Sequence, residues 1–243
     1  MNATYLRMEI RRLIRNRRLL LLSMLLPALV LLIFGSSAKH DTLDGVTGAE
    51  YIMASMAVYA AMVAATGSGG TIAVERGLGW NRQLRLTPLT PGRYVLSKVI
   101  LSLLMAIPPT LVTFLVGALV LGVRLPAGQW LGIGVGAWLS TLPFAALGVA
   151  LGYLARPDSA QQIGGLVITV LAAIGGLWIP ITQMPATMRS IAKFTPTYWA
   201  GEIARGPLFH HAVAGRAVGV LVAWAVGLAL VAAVRFRADT ARA

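Results

Sequence analysis

The chain has 243 residues, of which 57% are hydrophobic and only 12% charged, with a mean hydropathy of +0.76 and a formal net charge of +13. An ordinary soluble core cannot take up that apolar fraction, so the chain belongs in lipid, and what its spans leave over is too short for a soluble catalytic domain. The absence of cysteine removes disulfides, thiol catalysis and cysteine metal sites.

Residues 1–18 place Leu6, Ile10, Leu13 and Ile14 at helical spacing, with Arg7, Arg11, Arg15 and Arg18 stepping along another face. This predicts an N-terminal amphipathic interfacial helix on the cytoplasmic side, its apolar stripe in the headgroup boundary and its arginines meeting anionic lipid or the cytoplasm. A cleaved signal peptide would share the basic start, the apolar run and Ser36-Ser37-Ala38. The length of the basic region favours the interfacial helix.

Six stretches then approach the roughly 20 apolar residues that cross a hydrocarbon core of about 30 Å. They cover 19–38, 52–74, 99–121, 130–154, 163–181 and 217–234. The prediction is an all-α membrane protein, one transmembrane domain with six transmembrane helices. Fifteen of the 21 Lys and Arg fall within 1–18, 75–98, 235–242 or at Arg156, while Lys39, Arg124, Arg189, Lys193, Arg205 and Arg216 take the other side. The positive-inside rule then puts both termini in the cytoplasm. Asp41, Asp44 and Glu50 fall in the first outer loop.

No predicted span contains an internal Asp, Glu, Lys, Arg or His, which argues against an ion carrier working through buried carboxylates. Coordination by hydroxyls and carbonyls stays open. The polar groups inside the spans are mild: Ser55, Thr66, Ser68, Thr110, Thr113, Ser140, Thr141 and Thr169, which often bond back to their own helices. Met53, Met56 and Met62 with Tyr59 form a soft cluster in span two that suits varied apolar ligands or plain helix packing. A substrate cavity would draw its lining from Met56, Tyr59, Thr66 and Thr169.

Between spans two and three, the segment 75–98 carries a basic island at 75–90. Leu78, Trp80, Leu84 and Leu86 alternate with Arg76, Arg82 and Arg85, a composition that fits a short helix lying across the membrane plane. Leu86-Thr-Pro-Leu-Thr-Pro91 ends it, because proline disfavours helix at the residue before it, and Lys98 marks re-entry into the bilayer. Glu75 stands at the exit of span two, placed to pair with an arginine or with a partner. A loop that only enforces topology needs cations, not a tryptophan and three leucines.

Pro108-Pro109 predicts a kink in span three. Spans four and five are rich in small residues that allow close helix contact, including the pairs Gly132 with Gly136 and Gly148 with Gly152 in span four and Gly164, Gly165, Gly175 and Gly176 in span five. In 182–216, on the outer side, Met184, Met188 and Ile191 share a helical face, and Tyr198 with Trp199 suits a membrane interface. One or two short re-entrant helices, separated near Pro196, are expected there. His210-His211 reads as a solvated pair rather than a metal site, since neighbours on a helix point apart. No G-x-x-x-x-G-K-[ST] pattern occurs, so the chain has no P-loop of its own.

Glu75, Arg76, Gly79, Leu84, Thr87, Pro88 and Leu89, followed by Tyr94 and Lys98, resemble the first cytoplasmic loop of type 2 ABC exporter membrane subunits. Bacterial drug-export permeases of the daunorubicin-resistance kind are similar, and the likeness follows the whole chain in order: basic N-terminal helix, six spans, then Met184-Pro185 and Pro196-Thr197-Tyr198. Trp80 stands where relatives commonly carry Thr. The resemblance implies a coupling helix that docks on a separate ATPase through Glu75, Arg76, Gly79, Trp80, Arg82, Leu84, Arg85, Pro88 and Leu89. It also implies an outer gate at Met184, Pro185, Pro196 and Tyr198, two copies of the chain with two ATPases, and a bacterial inner membrane. No cofactor is expected in this chain; ATP and Mg would sit on the partner. The charge-free spans favour an apolar or amphiphilic cargo such as a drug, antibiotic or lipid-like molecule, moved out of the cytoplasm; sodium and glycan-linked cargo stay open in the wider family. An ion-coupled secondary carrier or a non-transporting membrane scaffold is the alternative.

Overall fold

The computed structural model describes residues 8, 17–79 and 91–241. Among them the regular structure is helical but for one small hairpin. Helix α1 (Arg17–Ser37) leads to strands β1 (Thr42–Leu43) and β2 (Val46–Thr47), then α2 (Gly48–Gly77) and α3 (Pro91–Leu119). There follow α4 (Ala127–Leu139), α5 (Leu142–Leu154), α6 (Ala160–Ile174), the short helices α7 (Ala186–Ala192) and α8 (Pro196–Arg205), and α9 (Gly215–Ala241). Asp44 and Gly45 turn the hairpin with φ of 51° and 80°, the mirror-type turn that matches strand twist. Thr47 then caps α2: its hydroxyl accepts from Glu50 N at 3.3 Å, and Glu50 Oε2 accepts from Thr47 N at 2.7 Å, a reciprocal capping box.

Helix α2 is the axis of the bundle. It is buried over most of its length and packs against α1, α3, α4, α5, α6 and α8. Ala, Gly and Ser make this possible, because small side chains let neighbouring backbones close in. A Cβ at Gly69 would lie 2.6 Å from the Gly148 carbonyl carbon, and one at Gly148 would run into the Thr66 carbonyl. Gly152 likewise faces Ile72, while Gly132 faces Pro207 and Gly136 faces Ile203. Both small-residue pairs seen in the sequence are therefore spent on contacts inside one chain. Thr66 Oγ1 donates to the Phe144 carbonyl at 3.1 Å across the α2–α5 crossing. Gly148→Leu is expected to destabilise the fold by about 1–3 kcal/mol or more, as overpacking of a closed contact does. A lowered thermal midpoint of the purified protein in detergent would show it.

Among the described residues four helices are long and apolar enough to cross a membrane: Gly48–Gly77, Tyr94–Leu119, Ala127–Leu154 and Gly215–Phe236. Predicted spans 19–38 and 163–181 coincide with shorter apolar stretches, Ser23–Ser37 and Ala160–Ile174. The fourth span breaks at Ser140 and Thr141 into α4 and α5. Pro143 explains the break, since it has no N–H to donate and its ring crowds the carbonyl four residues back. The fifth ends early because the chain turns at Gly175 and Gly176, the latter with φ of 76°; a Cβ at Gly175 would collide with Thr197 Oγ1. By contrast, α3 continues through Pro108 and Pro109 without ending. Two short helices do follow, with Pro196 as the first residue of the second. The expected interfacial helix at 1–18 falls almost wholly outside the described residues.

Outward faces of α1, α3 and α9 are apolar. Leu25, Leu29 and Ile33, Leu111 and Leu115, and Val222, Val226 and Leu230 are all exposed.

Candidate functional site

The two chain segments that flank the basic island are clamped together. Helix α2 ends where Gly79, with φ of 71°, donates its N–H to the Arg76 carbonyl at 3.0 Å; glycine adopts that left-handed geometry without strain. One turn earlier, Glu75 is 1% exposed, and its Oε1 meets Lys98 Nζ at 2.6 Å. Its Oε2 accepts from the Tyr94 hydroxyl at 2.6 Å. Lys98 also lies 5.4 Å from the centre of the Tyr94 ring. The carboxylate thus joins the last turns of α2 to the first turns of α3. Burying two charges is expensive, and such a pair persists only with close geometry and further hydrogen bonds, both of which are present.

Arg76 extends the clamp to a third helix. Its Nη1 donates to the carbonyls of Gly152 and Tyr153 at 3.0 and 2.9 Å, the C-terminal end of α5 where a cation also complements the helix dipole. The guanidinium lies 5.5 Å from the centre of the Tyr153 ring. Tyr153 in turn meets Phe236 of α9 edge-on at 5.6 Å. Ile72, Val149 and Ala150 fill the space beneath. Four helices therefore converge at the root of the island and hold its ends at a fixed spacing.

Of the predicted coupling residues, Glu75 and Arg76 are in this clamp and Gly79 ends α2. Trp80, Arg82, Leu84, Arg85, Pro88 and Leu89 lie outside the described residues. Predicted spans 52–74 and 99–121 carry no charge, yet the helices run on and bury an ion pair at Glu75 and Lys98, just past those bounds. The sequence placed Tyr94 in the motif without a role and read Lys98 only as the point of re-entry into the bilayer, and it missed Tyr153 and Phe236 entirely.

At the opposite end of the bundle the predicted gate residues frame the two short helices. Met184 is buried, Pro185 precedes α7, Pro196 opens α8, and Tyr198 stacks edge-on to Trp199 at 4.9 Å. Burial first, then the Glu202 carboxylate, raises the Tyr198 phenol above its ordinary value, so it stays a neutral group. Arg205, read from the sequence as an outer-loop cation, is in fact buried at 2% exposure. Its Nη1 donates to Ser55 Oγ at 3.0 Å and to the Gly176 carbonyl at 3.4 Å, while Nη2 meets Glu202 Oε1 at 3.0 Å. The guanidinium sits 4.7 Å from the centre of the Tyr51 ring. It pins α8 to α2 and to the turn after α6. The i, i+3 spacing of Glu202 and Arg205 was the one sequence signal for it.

The proposed cavity residues are closed off within the single chain. Met56 is 0% and Tyr59 1% exposed, Tyr59 packs edge-on against Trp178 at 5.6 Å, and Thr66 bonds to Phe144 as above. Thr169 is half-buried on α6 and pairs with the Tyr59 side chain.

Residues 3–209 match the family described as ABC-2 type transporter. The chain is also 30% identical over 203 residues to a Bacillus subtilis (strain 168) protein named "Putative transport permease YvfS", a match that covers 82% of this chain and 83% of that protein.

Proposed function

Because the chain belongs to the ABC-2 type transporter family as a multi-pass membrane permease subunit, we propose that it is the membrane half of an ATP-driven exporter whose separate ATPase docks on 75–90. The observation that carries this reading is the clamp of Glu75, Lys98, Tyr94 and Arg76. A segment that merely set topology would need no rigid mount. Here a force applied to the island would pass directly into α2, the central helix, and into α3, α5 and α9.

In this reading 75–90 is the coupling segment, its arginines orienting the dock and its leucines and Trp80 supplying affinity. Two copies of the chain pair with two ATPases, which hold the ATP and Mg. The excess of cations in 1–18, 75–98 and 235–242 supports a cytoplasmic position for the clamp end and both termini, in a bacterial inner membrane. The gate at Met184, Pro185, Pro196 and Tyr198 is then the exit. Charge-free spans suit an apolar or amphiphilic cargo, with Met56, Tyr59, Thr66 and Thr169 opening to it only when α2 and α6 part.

Affinity purification of the tagged chain from its native membranes tests the reading. A P-loop ATPase is expected to co-purify, with hydrolysis stimulated by amphiphilic cargo. If none does, and ion gradients alone drive uptake into vesicles, the ion-coupled carrier takes its place, with the buried Glu75–Lys98 pair as its candidate ion site.

A further inference from the structure

A cavity of about 510 Å³ lies at the end of the bundle away from the clamp, within the roughly 300–1,000 Å³ of small-molecule sites. Three separate segments form its walls, and they divide the charges between them. The hairpin and the start of α2 contribute the acids Asp44 and Glu50; the segment joining α3 to α4 contributes Arg124; the stretch after α8 contributes His210 and His211. Among the described residues Arg124, Asp44 and His210 make no side-chain hydrogen bond or ion pair. Opposite charges thus share one cavity without neutralising each other. Glu50 is partly committed, since one of its oxygens caps Thr47, which leaves Asp44 as the freer acid.

The backbone is unusual at the same place. Among the described residues two non-glycine residues have left-handed φ, Asp44 at 51° and His210 at 55°, and both line this cavity. The hairpin turn accounts for Asp44, while the left-handed geometry of His210 persists where the surrounding structure holds it. Here it does: Gln129 Nε2 donates to the Pro207 carbonyl at 3.1 Å, His211 N donates to the Gly206 carbonyl at 2.9 Å, and the Phe209 and His211 rings stack at 5.9 Å. The walls are preorganised before any ligand arrives.

We propose that this cavity binds a small zwitterion, an ammonium joined to a phosphate, with the ammonium toward Asp44 and Glu50 and the anion toward Arg124 and the imidazoles. A lone cation would meet Arg124, and a lone anion would meet the two carboxylates. A molecule carrying both charges satisfies both walls. The same chemistry belongs to a free phosphoethanolamine-type solute and to the headgroup of a zwitterionic lipid.

Calorimetric titration of glycerophosphoethanolamine into the protein, held in nanodiscs of phosphatidylglycerol alone, tests this. Saturable binding is expected, weakened about tenfold or more by Arg124→Gln and again by Asp44→Asn, since each removes a charge-assisted contact. Both residues are exposed, so the variants should fold, and the thermal midpoint checks that they do. Ethanolamine and glycerol phosphate, each with half the charge pattern, are expected to bind at least about tenfold more weakly. Adding phosphatidylethanolamine to the discs distinguishes the sources: loss of the titration assigns the site to lipid, and an unchanged titration assigns it to a free solute. No saturable binding, binding insensitive to both substitutions, or equal binding of a singly charged fragment would overturn the proposal.

Discussion

Lys98→Met is expected to destabilise the protein by about 3–5 kcal/mol, whereas Lys98→Met combined with Glu75→Gln should restore most of that loss. The sign of the contrast follows from where the charges sit. Glu75 and Lys98 are each 1% exposed, and 2.6 Å separates Oε1 from Nζ. Removing one member of such a buried pair strands its partner's charge in a poor solvent, while replacing both with neutral groups of similar volume is often nearly neutral or even stabilising. Thermal unfolding in detergent would read both variants. Equal stability of single and double variants would refute the pair as an ionic joint.

The double variant matters most for function. It should fold, yet its α2–α3 joint no longer resists separation with charge, so the island's mount is looser. Under the proposed mechanism its ATPase activity in complex would persist while cargo stimulation falls. A double variant with full stimulation would move the rigid link elsewhere, to the Arg76 bonds with Gly152 and Tyr153.

What could be read from the sequence was set by local physics. Runs of apolar residues located every long helix, and prolines located the separation of α7 and α8, because these signals act within a few residues. The break at Ser140 was just as local, written in Pro143, but the continuous hydropathy of 130–154 masked it. The early end of α6 was not local. Gly175 and Gly176 are ordinary in a membrane helix, and only the approach of Thr197 from α8 forces the chain aside. The same holds for the site. Glu75 and Lys98 lie 23 residues apart, and Arg205 reaches Ser55 across 150. No periodicity encodes such pairs, so Arg205 reads as a loop cation and Lys98 only as the point of re-entry into the bilayer.

Leu84→Asp is expected to abolish cargo-stimulated ATPase activity of the assembled complex while leaving the permease folded in the membrane. The residue lies outside the described segments, between two helix ends that are fixed by the clamp. The ends of the island are held by four helices, so under the proposed coupling a docking face carried between them would lose less entropy on binding than one on a free loop. On such a face a few apolar side chains supply most of the binding energy, while charged neighbours orient it. Leu84 belongs to the apolar set with Leu78, Trp80 and Leu86, among Arg76, Arg82 and Arg85. An aspartate there would introduce a charge that docking must desolvate, at a loss of several kcal/mol. An uncoupled complex with Arg82→Gln retaining partial stimulation would fit this division of labour. Full stimulation by Leu84→Asp would place the dock elsewhere on the chain, and the clamp would then be a structural joint alone.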